Sequence, residues 1–286
     1  MDLAKLHERT RQHGARPWVY WPIRLTIQAF CYAYFRMRRM GRWQIPQHGA
    51  AIVASNHRSF LDPFVVGTMA PRQMYYVAKR EIFEMHPVIA WLMSSVGAFP
   101  VSRGYGDTEM METAKQLLNR GEVVLIFPEG TRRRPGPLGK PRRGCAMLAL
   151  ECGVPVIPVA INGTEAVRNG WRIRPHKVRA IAGSPLPFPR VEHPDRDQIN
   201  TAADAIWREV NRQWEWLGGA PAAAGKPWAA TPSQTASLDE PRPQRESQSE
   251  AQFEHEPQSG SQSERQRGGD QHPLGYGPVR RPASDA

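Results

Sequence analysis

Short apolar runs alternate with mixed apolar and polar segments through the first 217 residues. Residues 51–55, 74–78, 123–127, 156–161 and 178–181 are almost unbroken apolar runs, which predicts strands buried on both faces. Between and after them, residues 63–69, 88–96, 108–119, 143–151 and 197–217 carry helical patterns. Gly121 and Gly153 stand where two of these patterns stop, as helix-terminating glycines do. Strands alternating with helices predict an α/β fold with a mixed or largely parallel central sheet flanked by helices.

The longest apolar stretch comes first, at residues 18–35. Val19, Ile23, Ile27, Phe30, Tyr34 and Met37 fall on one helical stripe. Arg24 and Gln28 interrupt it, Pro22 suits a first turn, and Arg36, Arg38, Arg39 and Arg42 follow. An arginine in mid-membrane costs roughly 2.5–3.5 kcal/mol on insertion scales. The pattern therefore predicts an amphipathic helix lying in the plane of a membrane, its basic end on anionic lipid. The competing expectation is a helix packed on the protein's own core. After Gly218 large aliphatic residues nearly vanish among Ala, Pro, Gly, Ser, Gln, Glu and Arg, too little apolar surface to offset the entropy of ordering. Three segments are expected: 1–45 membrane-associating and helical, 46–217 the folded domain, and 218–286 a disordered tail.

Charge sharpens this division. The net charge is +11. Residues 1–217 carry 31 Lys and Arg against 18 Asp and Glu, and residues 218–286 carry 7 against 9. A basic folded part suits an anionic membrane, a phosphorylated substrate or nucleic acid. No nucleic-acid motif accompanies the charge, so no nucleic-acid partner is expected. Cys31, Cys145 and Cys152 make neither a disulfide framework nor a metal-type spacing, which suits a reduced compartment. No secretory signal pattern opens the chain. His7, His13, His48, His86, His176 and His193 have no ligand-like grouping, and no metal or other cofactor is expected.

Four segments carry candidate chemistry. In the first, Asn56-His57-Arg58-Ser59-Phe60-Leu61-Asp62-Pro63, a histidine and an aspartate five positions apart follow a strand. Such a pair suits a base and the carboxylate that orients it, although Asp62 at a helix start also suits a plain N-cap. Ser59 beside them invites a nucleophile reading, but no Gly-x-Ser-x-Gly elbow is present, and direct transfer is favoured. The second, residues 97–104, presents Arg103 between glycines, a forked donor for phosphate. The third, residues 123–132, ends a strand in Pro128-Glu129-Gly130-Thr131-Arg132, a dense polar turn of the kind that builds sites. Arg133, Arg134, Lys140, Arg142 and Arg143 follow as an electrostatic funnel or membrane-facing surface. The fourth, residues 154–161, is an apolar strand suited to an acyl pocket or to the core.

Taken in order, these segments resemble the four blocks of the glycerolipid acyltransferase family, above all the bacterial 1-acyl-glycerol-3-phosphate acyltransferases. The matching residues are Asn56-His57-x-Ser59-x-x-Asp62, Gly97-x-Phe99-Pro100-Val101-x-Arg103, Phe127 to Arg132, and Val154 to Val159. The piece from Tyr76 to Phe83 is similar as well. The resemblance covers roughly residues 40–190 and implies a glycerol-3-phosphate acyltransferase-like fold. It implies transfer of a fatty acyl group from acyl-CoA or acyl-carrier protein to the free hydroxyl of a lysophospholipid, giving phosphatidic acid. By the same resemblance His57 is the general base and Asp62 its orienting partner. Arg103, Glu129, Gly130, Thr131, Arg132 and Lys79 form the phosphate site, with Asn56 and Ser59 in support. It also implies a peripheral or monotopic place on the cytoplasmic face of the cell membrane. Glycerol-3-phosphate or another lysolipid as acceptor, and a non-catalytic membrane or nucleic-acid binding protein, are the alternatives that the residues themselves leave open.

Overall fold

The structure is a computed structural model that describes residues 3–101, 107–133, 136–169, 172–222 and 226. In chain order the elements begin with α1 (Leu3–His13), α2 (Pro17–Phe35), β1 (Arg38–Met40), β2 (Ala51–Ser55), α3 (Asp62–Gly67) and β3 (Tyr75–Lys79). They continue with α4 (Arg80–Met85), α5 (Pro87–Ser95), β4 (Ala98–Val101), α6 (Thr108–Asn119) and β5 (Val123–Ile126). After these come α7 (Gly144–Cys152), β6 (Val156–Asn162), β7 (Arg168–Asn169), β8 (Arg172–Ile173), β9 (Arg179–Ala182) and α8 (Arg196–Trp216).

Seven strands form one sheet in the order β1-β9-β6-β2-β5-β3-β4. β6, β2, β5, β3 and β4 run parallel, β9 is antiparallel to β6, and β1 is parallel to β9. This is the mixed sheet flanked by helices that the alternating pattern predicts. The central strand β2 is buried at every position. Its side chains alternate between two cores, as the period of a strand requires. Ile52 and Ala54 join Val124, Val156 and the inner faces of α6, α7 and α8. Ala51 and Val53 join Val123, Leu125, Ile157 and Val159 with Cys31 and Phe35 of α2 and Val65 and Val66 of α3.

The predicted helix starts are mostly within a residue or two of those observed. α8 opens on a complete capping box, Asp195 accepting from the Gln198 N–H while the Gln198 side chain accepts from the Asp195 N–H. α6 ends at Asn119 with Arg120 as its C-cap, and Gly121 follows with φ +81°, the left-handed conformation its position suggested. Pro22 departs from expectation. It lies inside α2, and Pro17 takes the first turn instead. α1 falls within the 1–45 segment expected to be helical, but no apolar stripe marks it. Its inner face is partly polar: buried Thr10 bonds the Leu6 carbonyl, and buried His7 bonds Thr113 of α6. A hydrophobic period read on apolar residues alone misses such a face.

Residues 3–45 are woven into this architecture. Leu6 packs with Phe83, Ala90 and Ala98, Phe35 lies in the core beside β2, and β1 is a strand of the sheet. The expected tail falls outside the described residues, apart from residues 218–222 and 226.

Candidate active site

All five parallel strands end on one edge of the sheet, and ligands of open α/β sheets bind outside that edge. His57 lies two residues beyond β2, Lys79 ends β3, Glu129 lies three beyond β5, and Thr164 two beyond β6. β4 ends there at Val101, paired with Lys79. Arg103 lies outside the described residues.

The centre of the edge is His57 and Asp62. The His57 Nδ1 lies 2.9 Å from Asp62 Oδ2. Asp62 is fully buried, whereas the His57 side chain is 18% exposed. The same Oδ2 accepts the backbone N–H of Arg58 at 2.6 Å and of Ser59 at 2.7 Å. Oδ1 accepts the Thr164 hydroxyl at 2.6 Å. Asp62 therefore folds back on its own loop. It caps no amide of α3, whose N-cap is Leu61, so the plain N-cap role does not hold. Every neighbour bonded to this carboxylate offers it a hydrogen, so Nδ1 carries the imidazole proton and Nε2 the free lone pair. Phe127 stacks on the imidazole with centroids 4.2 Å apart and planes 21° apart, holding the ring's orientation from a second side.

The frame around the pair is equally specific. Buried Asn56 accepts the Ile161 N–H at 2.8 Å and donates to the Ile161 carbonyl at 2.9 Å, tying the end of β2 to β6. Buried Glu129 accepts the His57 N–H at 2.9 Å and the Gly139 N–H at 2.8 Å. Both its oxygens hold backbone, so it organises the site rather than facing solvent. Gly130 has φ +68°, and a Cβ there would lie 2.5 Å from Arg142 Nε. The Arg142 N–H donates to the Pro128 carbonyl, and the Arg133 N–H to the His57 carbonyl. These two members of the basic run thus close over the turn through their backbone. Ser59 is buried, and its hydroxyl accepts the Leu61 N–H at 3.3 Å. No hydrogen bond joins it to His57 among the described residues. Thr131 and Lys79 are half-buried and Arg132 is exposed at the same edge. None of the three is bonded to the pair among the described residues.

Three contributors were not anticipated as site residues. Thr164 belongs to an Asn-Gly-Thr turn straight after a buried strand, the same signal as the Glu-Gly-Thr turn after β5. Phe127 ends an apolar run and opens the third matching block, but neither pattern gives it a role at the site. Arg58 is buried, its guanidinium 4.8 Å from the Trp214 ring and bonded to the Gly136 carbonyl. Burial lowers its pKa, and Glu129, Glu165 and Asp62 offset part of that effect. Among the described residues, no three His, Cys, Asp or Glu side chains gather as a metal site.

α2 reaches the pair from behind. Arg24, the charge within the apolar stretch, turns inward. It donates to the carbonyls of Gly67, Thr68 and Ala70 at the end of α3, and Arg39 also donates to Thr68. The helix whose first residue is Asp62 is thereby capped by the basic residues of the N-terminal segment. Val19 and Met37 of the expected stripe are buried. Phe30 of that stripe is exposed, as are Trp18, Leu25 and Tyr32 of α2; Val88, Trp91 and Leu92 of α5 are exposed too, with Trp91 beside Trp18. No helix among the described residues is long and apolar enough to cross a membrane.

A protein-family model described as Acyltransferase matches residues 36–162. A chloroplastic 1-acyl-sn-glycerol-3-phosphate acyltransferase of Arabidopsis thaliana is 32% identical over 54% of this chain and 46% of its own length. The 1-acyl-sn-glycerol-3-phosphate acyltransferase of Pseudomonas aeruginosa is 31% identical over 53% of this chain and 59% of its own. That of Bacillus subtilis is 28% identical over 58% and 82%. The chain thus spans about half the length of the first of these relatives. The crystal structure of the 1-acyl-sn-glycerophosphate acyltransferase of Thermotoga maritima has the same fold. Its TM-score is 0.58 at 23% identity, covering 76% of this chain and 84% of that one.

Proposed function

On the premise that residues 36–162 are an acyltransferase-family domain, we propose that the chain moves a fatty acyl group from acyl-CoA or acyl-carrier protein to the free hydroxyl of 1-acyl-glycerol-3-phosphate, giving phosphatidic acid. The observation that carries this reading is the Nδ1-anchored His57 at the carboxyl edge of the sheet, its partner Asp62 buried among donors.

In this reading His57 Nε2 takes the proton of the acceptor hydroxyl as its oxygen attacks the thioester carbonyl. The tetrahedral intermediate collapses, the C–S bond breaks, and the thiolate recovers the proton from the imidazolium. Asp62 remains an acceptor throughout and stabilises the imidazolium between the two proton transfers. Ser59 takes no covalent part, since its hydroxyl faces its own loop rather than His57. Lys79, Thr131, Arg132 and Arg103 hold the acceptor's phosphate, and Glu129 keeps the loop that carries His57 in register with the turn after β5. The exposed apolar side of α2 and α5 lies in the cytoplasmic-face interface, where aromatic side chains partition well.

The test is a product assay. The purified full chain is offered acyl-CoA and acyl-carrier donors with lysophosphatidic acid or glycerol-3-phosphate, and products are weighed by mass spectrometry. Phosphatidic acid formed from lysophosphatidic acid is the expected outcome. Acylation of glycerol-3-phosphate alone moves the acceptor, and no transfer from any pair removes the reading.

A further inference from the structure

Far from the dyad, at the amino-terminal edge of β3 and β4, the elbow between α1 and α2 forms an open cleft of about 460 Å³. Arg9, His13, Ala15, Arg16, Pro17 and Trp18 line it. The elbow is well anchored. The Ala15 N–H donates to the Tyr75 hydroxyl at 3.3 Å, and the Arg16 N–H donates to the Ser95 carbonyl at 2.8 Å.

Among the described residues the two guanidinium groups in this cleft have neutral partners only. Arg9 donates to the carbonyls of Ser94 at 3.0 Å and Gly14 at 3.5 Å. Arg16 donates to the Ser95 hydroxyl at 2.8 Å and lies 5.6 Å from the Trp91 ring centroid. Among the described residues no carboxylate bonds to either. Burial lowers the Arg9 pKa, and the nearby Arg16 charge lowers it further. Elsewhere on α1 the pattern differs: Arg11 is paired with Glu8 at 3.2 Å. Two half-buried like charges, oriented by neutral acceptors in a concave site, are a repulsion that a bound anion relieves. The cleft also opens beside an aromatic pair. Trp18 is 69% and Trp91 42% exposed, with ring centroids 6.1 Å apart.

We propose that the α1–α2 elbow is a second anion site, in which Arg9 and Arg16 grip a phosphate group and His13 stands at the rim. A lipid headgroup and free phosphate offer the same chemistry to these arginines. The site does not rest on the acyl-transfer reading, because it lies at the other edge of the sheet and shares no residue with the His57 edge.

The test uses the full chain and two charge-matched double variants. Arg9→Gln with Arg16→Gln empties the cleft of charge. Lys5→Gln with Arg11→Gln removes the same charge from α1 outside the cleft. Binding to vesicles of phosphatidylcholine with phosphatidylglycerol is compared with binding to pure phosphatidylcholine, and melting temperature is followed with and without inorganic phosphate. For a lipid headgroup, the cleft pair loses roughly tenfold more affinity for the anionic vesicles than the control pair, the scale of a lost charge-assisted contact. Binding to pure phosphatidylcholine is then the same in both variants. For free phosphate, inorganic phosphate raises the melting temperature of the parent and control but not of the cleft pair. If the glutamine pair melts low without any anion, Arg9→Lys with Arg16→Lys replaces it. That variant keeps the charge, loses the forked geometry, and is expected to fall between parent and glutamine pair. Equal weakening by cleft and control pairs, with no effect of phosphate on melting, would overturn the site and leave only diffuse attraction.

Discussion

The two edges of the sheet handle buried charge in opposite ways. At the carboxyl edge one fully buried carboxylate, Asp62, is met by an imidazole, two backbone N–H groups and a hydroxyl. At the amino edge two guanidinium groups, Arg9 and Arg16, meet carbonyls, a hydroxyl and an aromatic face, and no carboxylate among the described residues. A charge whose every partner is internal has its geometry decided by the fold, which suits a group that must hold another in one orientation. A charge left with weak neutral partners keeps its affinity for something outside the chain. The same logic separates Glu129, whose oxygens both hold backbone, from exposed Arg132 in the same turn.

This contrast can be broken at graded points. The largest effect is expected from Asp62→Asn, which sets an amide among donors. Turnover should fall by about 10²- to 10⁴-fold, the range spanned by general-base assistance, when rates are measured at saturating donor and acceptor. Thr164→Val removes one donor and keeps the shape. Leaving one oxygen of the carboxylate short of a partner costs about 1–3 kcal/mol, so a roughly tenfold slower turnover with little change in acceptor KM is expected. Arg24→Met strips the end of α3 of its cap without touching the pair. It should lower the melting temperature by several degrees, at roughly 2–4 °C per kcal/mol for a domain of this size, measured by circular dichroism.

The smallest effect lies at His7, which joins α1 to α6 through Thr113 at 2.8 Å. Burial pushes its pKa below the ordinary 6.5, partly countered by Glu109 and Asp107, while Arg11 lowers it slightly more. As pH falls, the unfolded chain takes up this proton before the folded one does. The His7 contribution is therefore whole above about pH 6.5 and lost as pH drops through the lower folded value. His7→Gln should flatten that part of the pH–stability curve, as read from melting temperatures between neutral and mildly acidic buffer.

Much of the sheet was legible because its strands are buried on both faces and so appear as unbroken apolar runs. Residues 51–55 are the clearest case, with every position buried in β2. The His57 and Asp62 pair, the Glu129 turn and their order along the chain were legible as well. What escaped was carried by polar residues doing structural work. The charge of Arg24 pointed to a helix in the plane of a membrane, yet it satisfies carbonyls at the end of α3. Thr164 stands 102 residues from Asp62, and only the pairing of β6 with β2 brings the two together. β1 is a run of Arg38, Arg39 and Met40 that reads as a basic flank, and it is a strand only because β9 lies beside it. No local pattern encodes a partner so far along the chain.

The central claim is that His57 Nε2 accepts the acceptor's proton while the fold holds Nδ1. The direct measurement is the turnover number of His57→Gln against the parent, using acyl-CoA and 1-acyl-glycerol-3-phosphate, with melting temperatures taken in parallel. The account predicts a loss of about 10²- to 10⁴-fold in turnover, KM values within a few-fold of the parent, and an unchanged melting temperature. Near-parental turnover in a folded His57→Gln protein would contradict it.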